Sequence, residues 1–73
     1  MKRASGKFLD GLMPTKAKSQ RRRWLGPKKQ IYEEDTRHGE LEKYNLRGKH
    51  KGSVDPDTGE IIKGPVKGRT IEV

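Results

Sequence analysis

Seventy-three residues carry 18 Lys and Arg against 10 Asp and Glu, a formal net charge of +8, with only 27% hydrophobic side chains. No run approaches the roughly 18 to 20 apolar residues of a membrane-spanning helix, the N-terminus lacks the apolar stretch of a secretory signal, and the absence of Cys removes disulfides and thiolate metal sites. A chain of this length buries only about 60% of its unfolded surface, so one small core is the most it supports.

In chain order, residues 1–20 are basic and poor in apolar side chains, which predicts a linker or flexible arm. Within it Phe8, Leu9, Leu12 and Met13 have spacing for one or two helical turns with Ser5 as N-cap, and Gly11 and Pro14 stop them early. From Arg21 onward turn signals are frequent: Gly26-Pro27, Gly39, Gly48, Gly52, Asp55-Pro56-Asp57-Thr58-Gly59, Gly64-Pro65 and Gly68. Short segments with β-branched or aromatic residues separate them, the pattern of antiparallel strands joined by tight loops. Strands are expected over 21–25, 30–35, 40–46, 50–54, 60–63 and 69–73. The expected fold is mainly β, a small, highly twisted antiparallel sheet with a short N-terminal helix or flexible arm, and the expected functional domain is 21–73. A helix over 31–46 is the competing assignment and would also place Asp35, His38 and Glu42 on one face. Gly39 would cost it about 1 kcal/mol, and the apolar positions do not recur at helical period. As a strand, 40–46 turns Glu40, Glu42, Tyr44 and Leu46 to one face and Leu41 and Lys43 to the other.

Charge is divided along the chain: residues 1–30 carry +9, residues 31–46 carry −3 and residues 47–73 carry +2. Basic flanks attract polyanions, RNA or DNA first and an anionic membrane next. Carboxylates repel such a ligand, so the acidic centre is either a solvated face or a place where chemistry is done. It contains Asp35-Thr36-Arg37-His38-Gly39-Glu40-Leu41-Glu42, and with it one of the two histidines. A histidine near anions keeps its proton to higher pH and a carboxylate among carboxylates resists ionising, which is the tuning that proton transfer near pH 7 requires. RNA cleavage by attack of a ribose 2′-OH needs a base for that proton, an acid for the departing 5′-oxygen and a cation for the charge growing on the phosphate. No metal or other cofactor is needed. The spacing fits this chemistry and a surface ion-pair network alike. One His among carboxylates could hold a divalent cation, but no second His at ligand spacing reinforces it, so no metal site is expected.

His50, in Gly48-Lys49-His50-Lys51-Gly52, reads as a solvated or phosphate-contacting residue of a basic turn. Arg21, Arg22, Arg23, Lys28 and Lys29 could track phosphates, while Trp24, Tyr32 and Tyr44 could stack on unpaired bases. With four aromatics in the chain, Trp24 is better placed in the core, and Tyr44 is open between stacking and packing. Nothing local separates Arg69, in Lys67-Gly68-Arg69-Thr70, from an ordinary surface arginine.

Three stretches carry a resemblance. They are Arg23-Trp24 followed by Ile31-Tyr32-Glu33-Glu34-Asp35-Thr36-Arg37-His38-Gly39-Glu40-Leu41-Glu42-Lys43-Tyr44, then Gly52-Ser53-Val54-Asp55-Pro56-Asp57-Thr58-Gly59, then Lys63-Gly64-Pro65. Together they closely resemble the C-terminal cytotoxic ribonuclease domain of the ribosome-inactivating colicins and cloacin, over about residues 21–71. The resemblance implies a metal-independent endoribonuclease toxin that cuts small-subunit (16S) ribosomal RNA in the decoding A site and halts translation. It maps the catalytic set onto Asp35, His38, Glu42 and Arg69, points to Tyr44 and Lys63 as substrate contacts, and places Glu40 beside the active centre; Arg21, Arg22 and Arg23 would complete the substrate-binding surface. It further implies the ribosome and an acidic immunity protein as partners, an isolated domain that is monomeric, and a toxin secreted or delivered by its producer to act in the cytoplasm of target bacteria. The chain would then be the excised toxin part of a larger bacteriocin or contact-delivered effector. Departures from the pattern are Glu34 where Trp is usual, a loop between Trp24 and Ile31 one residue shorter, and Glu72 where a basic tail is typical. The competing reading is a non-catalytic basic RNA-binding or ribosome-associated module, which would tolerate loss of His38 and Glu42 but not of Arg21, Arg22 and Arg23.

Overall fold

Turn residues cut the chain into short extended segments, and each segment pairs with the one before it. A computed structural model describes residues 1–16 and 21–72. Residues 17–20 of the expected arm, and residue 73 at the end of the expected last strand, lie outside the described residues. The strands are β1 (Met13–Thr15), β2 (Arg23–Leu25), β3 (Ile31–Asp35), β4 (Glu40–Tyr44), β5 (His50–Val54) and β6 (Ile61–Lys63), and they form one antiparallel sheet in the order β1-β2-β3-β4-β5-β6. The mainly β expectation holds, and the helix over 31–46 is absent because β3 and β4 form a hairpin closed by the Asp35–Gly39 turn. Gly39 sits at φ 69°, where a side-chain-bearing residue is strained and glycine is not.

Side-chain alternation gives the sheet two unlike faces. Trp24, Tyr32, Leu41 and Val54, contributed by β2 to β5, line the apolar face. The segment before β1 covers that face with Ala4, Leu9 and Leu12, while Phe8 meets Tyr32 edge to face at 5.4 Å. Residues 1–16 are therefore a packed layer of the domain rather than the loose arm the composition suggests. Low apolar content concealed this, because only Ala4, Phe8, Leu9 and Leu12 make the contact while Met1 and Met13 stay exposed.

Helix α1 (Lys7–Asp10) lies in this layer, one turn long and ending at Gly11 as its sequence requires. Its N-cap is Gly6, not Ser5. The first amides find partners across the chain instead: Lys7 N–H donates to Asp57 Oδ1 at 2.9 Å, Phe8 N–H to Asp57 O at 3.0 Å and Leu9 N–H to Pro56 O at 2.8 Å. A turn between β5 and β6 thus replaces the local cap, satisfying helix-end donors that a one-turn helix cannot satisfy itself.

One charged side chain is buried on the apolar side. Glu34, 3% exposed, accepts bonds from Arg22 Nη2 at 2.5 Å, Arg22 Nε at 3.1 Å and Ala4 N–H at 2.9 Å. Arg22 in turn lies over the Trp24 ring at 5.0 Å. The bonds from Arg22 hold the Glu34 carboxyl below its ordinary value despite the opposing effect of burial, with help from Ala4 N–H. A depressed carboxylate stabilises the fold above its unfolded value and loses that contribution as pH falls through the folded one. Glu34→Gln is therefore expected to cost about 1 kcal/mol at neutral pH. The gap should narrow as pH falls below the ordinary carboxylate range, as read from urea unfolding at neutral and at acid pH.

At the other end, the expected strand over 69–73 is reduced to a single bridge between Lys49 and Thr70. Ile71 N–H donates to Gly48 O at 2.8 Å, and His50 N–H donates to Arg69 O at 3.0 Å, so the tail still lies against β5. Among the described residues no helix is long and apolar enough to cross a membrane.

Candidate active site

The second face of the sheet is polar. Cross-strand pairs Asp35–Glu40, Glu33–Glu42 and Glu42–Ser53 place their side chains together, and β4 turns Glu40, Glu42 and Tyr44 toward this face as its alternation requires. The tail folds over one side. Between them opens a cleft of about 250 Å³ whose walls include Asp35, His38, Glu42, His50, Lys63 and Arg69. All four residues of the expected catalytic set are thereby brought together, although 34 positions separate the first from the last.

His38 occupies the β3–β4 turn, its side chain 46% exposed, with Nδ1 2.8 Å from Asp35 Oδ2. Burial raises the Asp35 carboxyl, but the His38 bond, Arg37 N–H at 3.0 Å and the charge of the His38 ring together bring it below its ordinary value. Asp35 is thus an ionised acceptor, Nδ1 of His38 is the donor, and Nε2 is the nitrogen left for a substrate.

Glu42 is 4% exposed at the floor of the cleft. Its Oε2 accepts from His50 Nε2 at 2.7 Å and from Ser53 Oγ at 3.1 Å. Its Oε1 faces Arg69 Nη1 at 3.6 Å. With Oε2 occupied by two donors, Oε1 is the oxygen able to take a proton. Arg69 reaches this position because backbone bonds hold the tail to residues 48 and 50. Lys63 stands nearby, 4.0 Å from Glu40 Oε1.

His50 is the residue that sequence reading misplaced. It is 2% exposed, stacks edge to face on Tyr44 at 5.2 Å, and accepts Val66 N–H on Nδ1 at 2.9 Å. Since Nδ1 accepts, Nε2 carries the proton and donates to Glu42, so one tautomer is fixed from both sides. The cause is a β-bulge. Lys43 pairs with Gly52, but the next residue, Tyr44, pairs with His50, leaving Lys51 as an extra residue in β5. Without the bulge, strict alternation would put His50 and Ser53 on opposite faces; with it, both donate to Glu42. The flanking lysines and glycines, which suggest a basic turn, give no sign of this.

His50 is placed to position Glu42. His50→Ala is expected to lower kcat about 10- to 100-fold with little change in KM. His50→Gln, which can donate and accept at similar positions, should recover part of the loss. Steady-state kinetics on the two variants check this, and equal losses would show a structural role only.

The other expected substrate contacts divide. Tyr44 is 1% exposed beneath His50, so its ring packs rather than stacking on a base. Burial raises its hydroxyl while Arg69 pulls it back, placing that hydroxyl beside the cation. Trp24 lies in the core as expected. Arg23 is 7% exposed and committed internally, donating to Glu33 Oε2 at 2.9 Å and to Glu72 O at 2.9 Å. Arg22 is paired with Glu34. Of the three consecutive arginines, Arg21 alone lines the cleft.

Asp35, His38 and Glu40 place one ligand atom each within 4.8 Å of one another. Asp35 and His38 already satisfy each other, and the geometry is that of a hydrogen-bonded pair.

A family model described as Cytotoxic matches residues 12–72. The chain is 52% identical to colicin E3 and to cloacin and 50% identical to colicin E6, all of Escherichia coli, in each case over 54 residues. That covers 71% of this chain and 10% of each relative, so the chain spans about a tenth of their length.

Proposed function

This chain belongs to the Cytotoxic family, and from that premise we propose that it is a bacteriocin-type endoribonuclease that cleaves small-subunit (16S) ribosomal RNA at the decoding A site and halts translation. One arrangement carries the proposal: a cleft in which an Asp-oriented histidine, a carboxylate held by His50 and Ser53, and a partly exposed cation converge. Glu42 Oε1 takes the proton from the ribose 2′-OH as the oxygen attacks phosphorus. His38 Nε2 gives a proton to the departing 5′-oxygen, leaving a 2′,3′-cyclic phosphate and a 5′-hydroxyl. Arg69 and Lys63 supply positive charge for the phosphate oxygens as the transition state forms. Asp35 keeps the His38 ring in the productive tautomer.

The partners follow from the same surface. A net charge of +8 draws the domain to ribosomal RNA, and it equally suits an acidic immunity protein that protects the producer. The site of action is the cytoplasm of a target bacterium. An association rate with that immunity protein that did not fall with added salt would count against electrostatic capture.

Incubation with intact ribosomes in the presence of EDTA tests the central proposal. The expected product is one discrete fragment from the 3′ end of small-subunit RNA. Intact RNA, or a ladder of random fragments, would overturn it.

A further inference from the structure

A second cavity, of about 340 Å³, adjoins the cleft and is lined by Arg3, Arg21, Arg22, Glu34 and Thr36 among others. Arg21 also lines the cleft, so the two cavities share a wall. Arg22 is paired with Glu34, and Arg3 and Arg21 bring two further guanidinium groups to the same concave place.

The backbone fixes how Arg3 arrives. Lys2 N–H donates to Thr36 O at 2.7 Å, Ala4 N–H to Glu34 Oε2 at 2.9 Å, and Arg22 Nη2 to Ala4 O at 3.3 Å. Residues on both sides of Arg3 are therefore fastened beside the end of β3, while its own side chain stays exposed. Its charge is among the causes that hold the Glu34 carboxyl low, which puts the guanidinium within electrostatic reach of the pocket. Arg22 uses Nε and Nη2 on Glu34 and Ala4, and its Nη1 makes no bond among the described residues. Glu34, the departure from the usual Trp, is what gathers these groups.

We propose that Arg3, Arg21 and Arg22 form an anion subsite for a backbone phosphate of the RNA strand that runs out of the cleft past Arg21. The subsite rests on the proposed ribonuclease function for its ligand. A phosphodiester strand presents one anion per nucleotide, so a strand held at the cleft offers its next phosphates to the adjoining cavity, and rows of arginines track such backbones. Arg3 precedes the residues matched by the family model, which makes the subsite a feature of this chain's own N-terminal layer.

The test measures binding without cleavage. A 2′-O-methyl RNA strand of about eight nucleotides and the matching dinucleotide are titrated against the full chain and its Arg3→Ala, Arg3→Glu and Arg3→Lys variants, over a range of salt. One phosphate contact on a single strand contributes a slope of about −0.7 in log K against log salt, so Arg3→Ala should bind the longer strand about five-fold more weakly near 0.1 M salt and converge with the parent near 1 M. Arg3→Glu should lose more, Arg3→Lys should keep the slope, and the dinucleotide should bind all four alike. Unchanged affinity and slope in Arg3→Ala and Arg3→Glu would overturn the subsite, as would a parent chain that binds the long strand no better than the dinucleotide. A parent that shows the Arg3 effect yet leaves ribosomes intact would remove the proposed function and keep the subsite. Thermal midpoints guard against misfolding, because a variant that is folded at the titration temperature and still binds the long strand weakly has lost the contact and not the fold.

Discussion

Glu42→Gln should abolish ribosome cleavage while leaving the fold intact. Gln retains an acceptor for His50 and Ser53 but has no oxygen that can take the 2′-OH proton, and loss of a general base costs about 10²- to 10⁴-fold. His38→Ala should lose as much on the natural substrate. The two variants separate on an RNA whose scissile 5′-oxygen is replaced by sulfur, because a thiolate departs without a proton. There His38→Ala should return to within a few-fold of the parent, and Glu42→Gln should not. Rescue of Glu42→Gln in place of His38→Ala would exchange the two roles, and rescue of neither would remove the acid–base assignment. Single-turnover rates for parent and variants on the two substrates decide it.

Leu41→Ala is expected to cost about 2–5 kcal/mol, the range for emptying a filled core position. Leu41 is 0% exposed in β4, between Glu34 of β3 and Val54 of β5. Domains of this size sit near the lower end of the usual 5–15 kcal/mol, so most of the stability would be gone. At about 4–8 °C per kcal/mol, the thermal midpoint should fall by at least about 10 °C. Circular dichroism melts measure this. Because the side chain faces away from the cleft, cleavage per folded molecule at low temperature should be unchanged. A variant that melts normally would mean that the apolar layer does not hold the sheet together.

Those two outcomes reflect a division that alternation made visible in the sequence. Glu40, Glu42 and Tyr44 against Leu41 and Lys43 was legible because β4 is short, starts straight after Gly39 and alternates without interruption over its own five residues. The Asp55-Pro56-Asp57-Thr58-Gly59 turn was legible because its residue types leave the backbone few alternatives: Asp55 Oδ1 accepts both Asp57 N–H and Thr58 N–H. β1 was not, since Met13–Thr15 is three residues long, exposed throughout, and contains Pro14, which cannot donate to a ladder. It exists because β2 offers it an edge. In the site, Asp35, His38 and Glu42 stood out as a local cluster. Arg69 came only from family resemblance, because a tail residue's place depends on backbone bonds to a distant loop. His50 was missed altogether, since one extra residue decides which way it points, and no period in the sequence records an insertion.

That extra residue leaves the chain more freedom than it first suggests. Deleting Lys51 would set His50 two positions from Ser53, where plain alternation turns both toward Glu42 and keeps Tyr44 opposite His50, so a straightened β5 holds the same pair without a bulge. The shortened strand should stay folded and keep the His50–Glu42 bond. Descendants of this sequence can therefore lose Lys51 outright, whereas the full-length strand must keep its kink there to hold His50 in place.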